Sequence, residues 1–189
     1  MFPCARLMPP GARVSFAASR PRSPTAWLAV FHPSEVRVLL TELLTADRIR
    51  VPLRGTSKDA LLEELVDVLF RAGAVDDVAE VLRAVRAREE VLSTGIGSGV
   101  AIPHGKSDAA PRLVMAAGVA PEPIDFDALD GRPVNLVFLL VGPEAAAGAH
   151  VKALSRISRM VRRDALRERL GLVRSSADFM AVLDEAEST

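Results

Sequence analysis

The sequence predicts an α/β or α+β domain, built on a single mixed β-sheet that is flanked by helices. Helical periodicity is found in both halves of the chain, and a nearly continuous apolar run lies between them at residues 134–141. Such an uninterrupted run is typical of a central strand that is buried on both faces. Because helical segments stand before and after the extended segments, we expect the helices to flank one sheet.

Composition excludes several classes of protein. The chain has 189 residues, of which 49% are hydrophobic, so a core of ordinary size is expected. Basic and acidic residues each number 24, and this balance lacks the positive charge of a nucleic-acid-binding protein. The single cysteine excludes an internal disulfide and a cysteine-based zinc site. No apolar run approaches the roughly 20 residues of a membrane-spanning helix, so a soluble protein of a reducing compartment is expected.

Residues 1–33 differ from the rest, and the predicted domain spans residues 34–187. Residues 1–34 hold six prolines and four arginines but no acidic residue. Proline removes a backbone donor and fixes φ, so regular helices and central strands are not expected there. Three interpretations of the segment stay open: a disordered tail, a start codon assigned too far upstream, and an organellar targeting peptide.

Three helices are predicted in the first half of the domain. Ser34 caps the first, and its apolar residues share one face: Val36, Leu39, Leu40 and Leu43. The second covers Lys58–Arg71, where leucine and valine recur at helical spacing. The third begins at Asp76 or Asp77 and continues to about residue 88.

The strands and the remaining helices follow from the same patterns. Extended segments are predicted at residues 49–53, 100–102, 113–119 and 134–141. The first of them contains a proline and is therefore an edge strand or a connection. Further helices are predicted at residues 150–163 and 165–170, and Ser175 and Ser176 cap a last one.

His104 is the residue best suited to chemistry. We expect it in a glycine-rich loop directly after a short strand, between Pro103 and Gly105. Proline restricts the backbone, and glycine leaves the imidazole uncrowded, so the ring would be held in a fixed and accessible position. A neutral imidazole near pH 7 is nucleophilic and accepts a phosphoryl group well. A surface histidine without a function is the alternative.

A phosphohistidine would need cations or hydrogen-bond donors around it. The candidates are a guanidinium, two hydroxyls, two positions in a glycine-rich loop and a second imidazole: Arg88, Ser93, Thr94, Gly97, Gly99 and His150. The guanidinium would form a planar fork for phosphate oxygens, although a solvated cation at a helix end is the alternative. The second imidazole is expected at the start of a helix, whose positive end would favour the neutral ring; a merely local hydrogen bond is its alternative.

Two other kinds of site are rejected. The glycines at 95, 97 and 99 precede a strand and not a helix, so the anion-binding helix end of a dinucleotide fingerprint is missing. The acidic loop at residues 123–131 lacks the spacing and the closing Glu of an EF-hand. Its aspartates are predicted to form turns. Neither a metal nor a cofactor is expected.

Residues 88–106, REEVLSTGIGSGVAIPHGK, resemble the active-site signature of a family of bacterial proteins. The family is enzyme IIA of the fructose/mannitol type, a component of the phosphoenolpyruvate-dependent sugar phosphotransferase system. The nitrogen-regulatory enzyme IIA proteins share this signature. The similarity continues through residues 123–143 and 149–161 and extends over most of the predicted domain. The resemblance implies the fold of the family, a mixed sheet that helices flank.

The resemblance also implies a mechanism for a phosphotransferase. A phosphocarrier protein of the HPr type docks, and His104 attacks the phosphorus of its phosphohistidine in line. The arginine of the family's site falls on Arg88, and its second histidine falls on His150, in the position before the helix. The family's pair of hydroxyls falls on Ser93 and Thr94. Transfer between two histidines needs neither a metal nor a cofactor.

Three functions stay open at this point. The protein relays phosphate in the bacterial cytoplasm toward an enzyme IIB or permease component, or it is a regulatory module whose target proteins change when His104 is phosphorylated. The third is a soluble relative of the cytoplasmic domains of anion transporters, which share the fold without phosphotransfer. The presence of both His104 and Arg88 argues against this third function. Which imidazole nitrogen is phosphorylated depends on the ring orientation.

Overall fold

A computed structural model of the chain describes residues 39–188. In this range the helices are α1 (Leu40–Leu43), α2 (Lys58–Arg71), α3 (Val78–Val91), α4 (Ala147–Met160), α5 (Asp164–Gly171) and α6 (Ser176–Ser188). The strands are β1 (Ile49–Arg50), β2 (Gly95–Gly97), β3 (Val100–Ala101), β4 (His104–Lys106), β5 (Val114–Ile124) and β6 (Val134–Gly142). The predicted cap at Ser34 and the segment 1–33 lie outside the described residues.

The strands form one mixed sheet, as the sequence predicted. Its order is β1-β5-β6-β3-β2, and β4 also pairs with β6. The central strands β5 and β6 are antiparallel to each other, whereas β1 runs parallel to β5. Both β3 and β4 run parallel to β6. The short segment at residues 49–50 is an edge strand, which was one of its two predicted alternatives.

The side chains of β6 are buried on both faces of the sheet. Val137, Leu139 and Val141 pack into a core cluster with α2 and α3. Leu136, Phe138 and Leu140 belong to a second cluster, which the other helices cover. The alternation confirms that the apolar run is a central strand between two layers of helices. No helix within residues 39–188 is long and apolar enough to cross a membrane.

Strands β3 and β4 pair with successive stretches of β6, and residues 102 and 103 separate them. Ala101 pairs with Val137 and His104 pairs with Leu140, so the register is unbroken across the gap. Pro103 lies in this gap and has no N–H to donate, but its carbonyl accepts from Leu140 N at 3.0 Å. His104 is therefore the first residue of a strand. The prediction that placed it in a loop is wrong, because the pairing partner on β6 is distant in sequence.

Several predicted boundaries differ from the structure by three residues or more. Helix α3 continues to Val91, so that Arg88 lies inside its last turn. Strand β5 runs past Pro121 and Pro123 to Ile124, since its pairing with β6 is interrupted between Val119 and Ile124 and both prolines fit there. Helix α4 starts at Ala147, three residues before the predicted start. Two of the four residues of its first turn are alanine, a strong helix former that gives no apolar periodicity.

Candidate functional site

Gly105 lets strand β4 lie directly against helix α3. A Cβ atom on Gly105 would be 3.0 Å from Val85 N and 3.1 Å from Ala84 C, which are backbone atoms of α3. The sequence prediction explained this glycine by the space it leaves around the imidazole. The structure gives a different reason, the close approach of two backbones. This approach brings the last turn of α3, with Arg88, to the strand that carries His104.

The ring of His104 is held by a backbone carbonyl. Its Nδ1 atom is 2.9 Å from the carbonyl oxygen of Ile102, and the side chain is half-buried. A carbonyl only accepts hydrogen bonds, so Nδ1 carries the proton and Nε2 keeps its lone pair. The geometry therefore points to Nε2 as the nucleophilic nitrogen, a choice that the sequence left open.

His150 lies beside His104, on the face of the sheet that α4 covers. The two ring centroids are 5.7 Å apart, with an angle of 67° between the ring planes. His150 is the fourth residue of α4, so its predicted position before the helix is wrong. Only 3% of the residue is exposed. Neither of its ring nitrogens has a hydrogen-bond partner among the described residues.

Both imidazoles are held in the neutral form. Burial lowers the pKa of His104 and the charge of Arg88 adds to this, while the Ile102 carbonyl and Glu89 oppose it. Burial also lowers the pKa of His150 to about 4, with further contributions from His104 and Lys106 and an opposing one from Glu144. The sequence attributed a neutral His150 to the helix end, whereas burial is the main cause in the structure.

Arg88 lies in the last turn of α3 and is partly exposed. Its Nη1 atom donates to the carbonyl of Leu92 at 2.9 Å, which satisfies a group at the end of the helix. The guanidinium has further N–H groups that this bond does not use. Its positive charge contributes to the lowered pKa of His104, and the same charge would favour an anion on that ring.

The two predicted hydroxyl donors are engaged in structural hydrogen bonds. Ser93 Oγ donates to the carbonyl of Phe126 at 2.8 Å and accepts from Gly95 N at 3.1 Å. Thr94 is buried, and its Oγ1 donates to Glu89 at 2.5 Å. These contacts assign both side chains a role in holding the segment before β2, and binding of phosphate by them stays a prediction.

Gly97 and Gly99 form the turn between β2 and β3. Both have positive φ values, 93° and 78°, which favour glycine. A Cβ atom on Gly97 would lie 3.0 Å from the carboxylate of Asp130, which also accepts from Ser98 N at 2.8 Å. The backbone of the turn thus explains why glycine occupies both positions. Their part in phosphate binding stays a prediction.

The aspartates of the acidic loop form turns, as predicted. Asp127 N donates to the side chain of Asp125 at 3.0 Å, and Arg132 N donates to that of Asp130 at 3.1 Å. Within residues 39–188, no group of three or more His, Cys, Asp or Glu side chains is placed to hold a metal ion.

Glu89 is the residue that sequence reasoning missed. It is 8% exposed and accepts hydrogen bonds from Thr94, and Lys58 Nζ lies 2.7 Å from its Oε1. A signal for it was available in the helix pattern. Val81, Val85 and Glu89 are spaced by four residues, so the carboxylate falls on the apolar face of α3. A charged residue on such a face is rarely buried without a partner.

A comparison with known families identifies the family of the chain. Residues 42–186 match the model of the family described as "Phosphoenolpyruvate-dependent sugar phosphotransferase system, EIIA 2". The chain belongs to this family. The resemblance seen in residues 88–106 is therefore confirmed, and so is the predicted EIIA fold. The family places the chain among the phosphotransfer proteins of this system.

Individual relatives carry two kinds of name. A nitrogen regulatory protein of Pseudomonas aeruginosa is 38% identical over 133 residues, which are 70% of this chain and 86% of that protein. The fructose-specific EIIABC component of Bacillus subtilis is 37% identical over 131 residues, which are 69% of this chain. The chain spans only 21% of the length of that second relative.

Solved structures support the same fold. The crystal structure of the nitrogen regulatory protein IIA-Ntr from Neisseria meningitidis has a TM-score of 0.71 and 37% identity, and the match covers 76% of this chain and 98% of that one. The crystal structure of mannitol IIA from Escherichia coli has a TM-score of 0.65 at 20% identity, with 74% of this chain and 98% of that one covered. At this identity the second likeness concerns the fold alone.

Proposed function

We propose that the protein carries a phosphoryl group on His104, which it accepts from the phosphohistidine of a phosphocarrier protein of the HPr type. The observation that carries the proposal is the pair of neutral imidazoles. Nδ1 of His104 is bonded to a carbonyl, which leaves Nε2 as a nucleophile, and His150 lies 5.7 Å away, centroid to centroid. Membership in a family of phosphotransfer proteins supports the same reaction.

The transfer exchanges one nitrogen–phosphorus bond for another. Nε2 of His104 donates its lone pair to the phosphorus, while the bond to the donor imidazole breaks and that ring takes back its electron pair. The His104 ring gains positive charge as the new bond forms. Its Nδ1–H group donates to the carbonyl of Ile102, which stabilises this charge. Because the two phosphohistidines are chemically alike, the reaction is reversible.

Two neighbours would stabilise the transferred group. Arg88 lies in the last turn of α3, the helix packed against the strand of His104, and its positive charge would attract the phosphoryl oxygens. His150 is neutral at pH 7 and donates through one of its ring nitrogens, which have no partner among the described residues. A phosphoryl oxygen beside His104 would provide that partner and remove the penalty of an unsatisfied buried donor.

A second candidate is a regulatory module in which the phosphoryl group on His104 is a switch. The observation that favours it is the similarity to nitrogen regulatory proteins. One such protein is 38% identical over 86% of its own length, and the solved structure of another is 37% identical with a TM-score of 0.71. In this case phosphorylation adds negative charge beside β4 and changes which target protein docks. In the first case an enzyme IIB or permease component receives the phosphate. In both candidate functions the protein would act in the cytoplasm.

Labelling of the purified protein tests the proposal. The protein is incubated with phosphoenolpyruvate, enzyme I and either a sugar-branch or a nitrogen-branch phosphocarrier, and its intact mass is followed before and after acid treatment. We expect an acid-labile gain of one phosphoryl group, and the faster donor then distinguishes a sugar role from a regulatory one.

The control is the variant His104→Ala. A half-buried side chain at the edge of the sheet contributes little to stability, so the variant is expected to fold and to remain unlabelled. Labelling of the folded variant would refute the assignment of His104. No labelling of the unchanged protein by either donor would refute the phosphocarrier role.

A further inference from the structure

Hydrogen bonds connect the buried carboxylate of Glu89 to the ring of His104. Thr94 N donates to both carboxylate oxygens of Glu89, at 3.1 and 3.0 Å, and Thr94 Oγ1 donates to one of them at 2.5 Å. The carbonyl of Thr94 accepts from Ile102 N at 3.0 Å. The carbonyl of Ile102 then accepts from Nδ1 of His104 at 2.9 Å.

The far end of this chain of bonds is anchored by Lys58. Its Nζ atom lies 2.7 Å from Glu89 Oε1 and 3.1 Å from Asp127 Oδ2. The same ammonium group is 5.0 Å from the ring centroid of Phe126, whose carbonyl holds Ser93. Burial alone would lower the pKa of Lys58, but the bonds to Glu89 and Asp127 outweigh it and raise that pKa. Glu89 is therefore held in place by Lys58 on one side and by Thr94 on the other.

The orientation of the Ile102 carbonyl depends on its neighbours on both sides. Ile102 N is tied to Thr94, and the carbonyl of Pro103 is tied to Leu140 N at 3.0 Å. Pro103 has no N–H, so the ladder with β6 lacks the bond that would otherwise hold this stretch. The bond from Ile102 to Thr94 is thus one of the few that set the direction in which the Ile102 carbonyl points.

We infer that Glu89 is a positioning residue for His104: by holding Thr94, it orients the Ile102 carbonyl that keeps the proton on Nδ1 and leaves Nε2 as the nucleophile. Glu89 touches neither the imidazole nor the phosphoryl group in this role. The inference deepens the proposed function, on which its consequence for phosphotransfer rests. The effect on the tautomer of His104 is independent of that function.

The test compares Glu89→Gln with Glu90→Gln. Glutamine keeps the shape of the side chain but places an amide N–H₂ group against Thr94 or Lys58, both of which are donors. Glu90 is the next residue of α3 and is exposed, so the same chemical change there leaves the bond chain intact.

The first measurement is the tautomer of His104, read from the ¹⁵N shifts of its ring at pH 8 and at a temperature at which every variant is folded. We expect the unchanged protein and Glu90→Gln to keep the proton on Nδ1. In Glu89→Gln a fraction of the rings is expected to carry it on Nε2. This measurement reports folded molecules only, so a loss of stability does not imitate the effect.

The second measurement is the single-turnover rate of phosphorylation by the preferred phosphocarrier. We expect Glu89→Gln to be about tenfold slower, which corresponds to the loss of one net hydrogen bond, and Glu90→Gln to be unchanged. An unchanged tautomer and an unchanged rate in Glu89→Gln, with a lower melting temperature, would overturn the inference and leave Glu89 a purely structural residue.

The two hypotheses fail in different ways. If no donor phosphorylates the unchanged protein, the proposed function fails, while the tautomer still supports or refutes the role of Glu89. If the unchanged protein is phosphorylated and the tautomer of Glu89→Gln matches it, only the role of Glu89 is refuted.

Discussion

The two sides of the site differ in how completely their polar groups are satisfied. On the α3 side, the buried carboxylate of Glu89 is bonded to the N–H and the hydroxyl of Thr94 and paired with Lys58. On the α4 side, His150 is equally buried, yet its two ring nitrogens have no partner among the described residues. One side is closed by its own hydrogen bonds, and the other still has capacity for a ligand.

This difference separates two tasks that a phosphoryl carrier must perform. A satisfied network is rigid, because each of its members is oriented by the others, and it can hold the nucleophile in one orientation. An unsatisfied buried group lowers stability, and such groups in a native structure often have a function. The free energy of unfolding should therefore respond in opposite directions when the two sides are altered.

The largest effect is expected on the α3 side, with Glu89→Ala. The change leaves Thr94 N and its hydroxyl without an acceptor, and Lys58 keeps only Asp127 as a partner. Removal of one member of a buried ion pair lowers the free energy of unfolding by about 3 kcal/mol. Urea denaturation measures it, with the exposed Glu90→Ala as the matched control. A loss as small as that of the control would show that the network does not hold the site.

The next effect is a dependence of stability on pH that arises on the α4 side. The pKa of His150 is about 4 in the folded protein, below its ordinary value of 6.5. Between these values the unfolded chain binds a proton that the folded protein does not, so stability falls as the pH falls. From pH 7 to pH 5 the loss is about 2 kcal/mol.

A comparison of the unchanged protein with His150→Leu isolates the contribution of His150 to this dependence on pH. The unfolding free energies of the unchanged protein and of His150→Leu are measured at both pH values. The variant is expected to lose about 2 kcal/mol less over this interval. Equal losses in the two proteins would show that His150 is not held neutral by the fold.

The smallest effect has the opposite sign to the first. At pH 7, His150→Leu replaces two unsatisfied nitrogens by apolar groups of similar volume inside a helix. The free energy of unfolding is expected to rise by about 1 kcal/mol. The rate of phosphorylation of His104 is expected to fall in the same variant, because a donor to the phosphoryl group is lost. A variant that is less stable than the unchanged protein would contradict the comparison between the two sides.

The amino-acid sequence by itself determined the class of fold and the central strand, and it pointed to His104 as the candidate nucleophile. These depend on local patterns: the period of the apolar residues, the run at residues 134–141, and the segment around His104. Helix α2 follows the predicted bounds, Lys58–Arg71, and Ser57 Oγ accepts from Ala60 N at 3.2 Å as its cap. In each case the residues that specify the feature are close to one another in the sequence.

Only the tertiary structure decided how the site works. Gly105 is explained by the backbone of α3, the position of His104 at the start of a strand by pairing with β6, and the burial of Glu89 by Thr94 and Lys58. The neutral state of His150 arises from burial against a different element, and not from the helix end that its own neighbours indicated. Hydrogen-bond partners and desolvation are set by which segments approach each other in space. A pattern of neighbouring residues does not specify that approach.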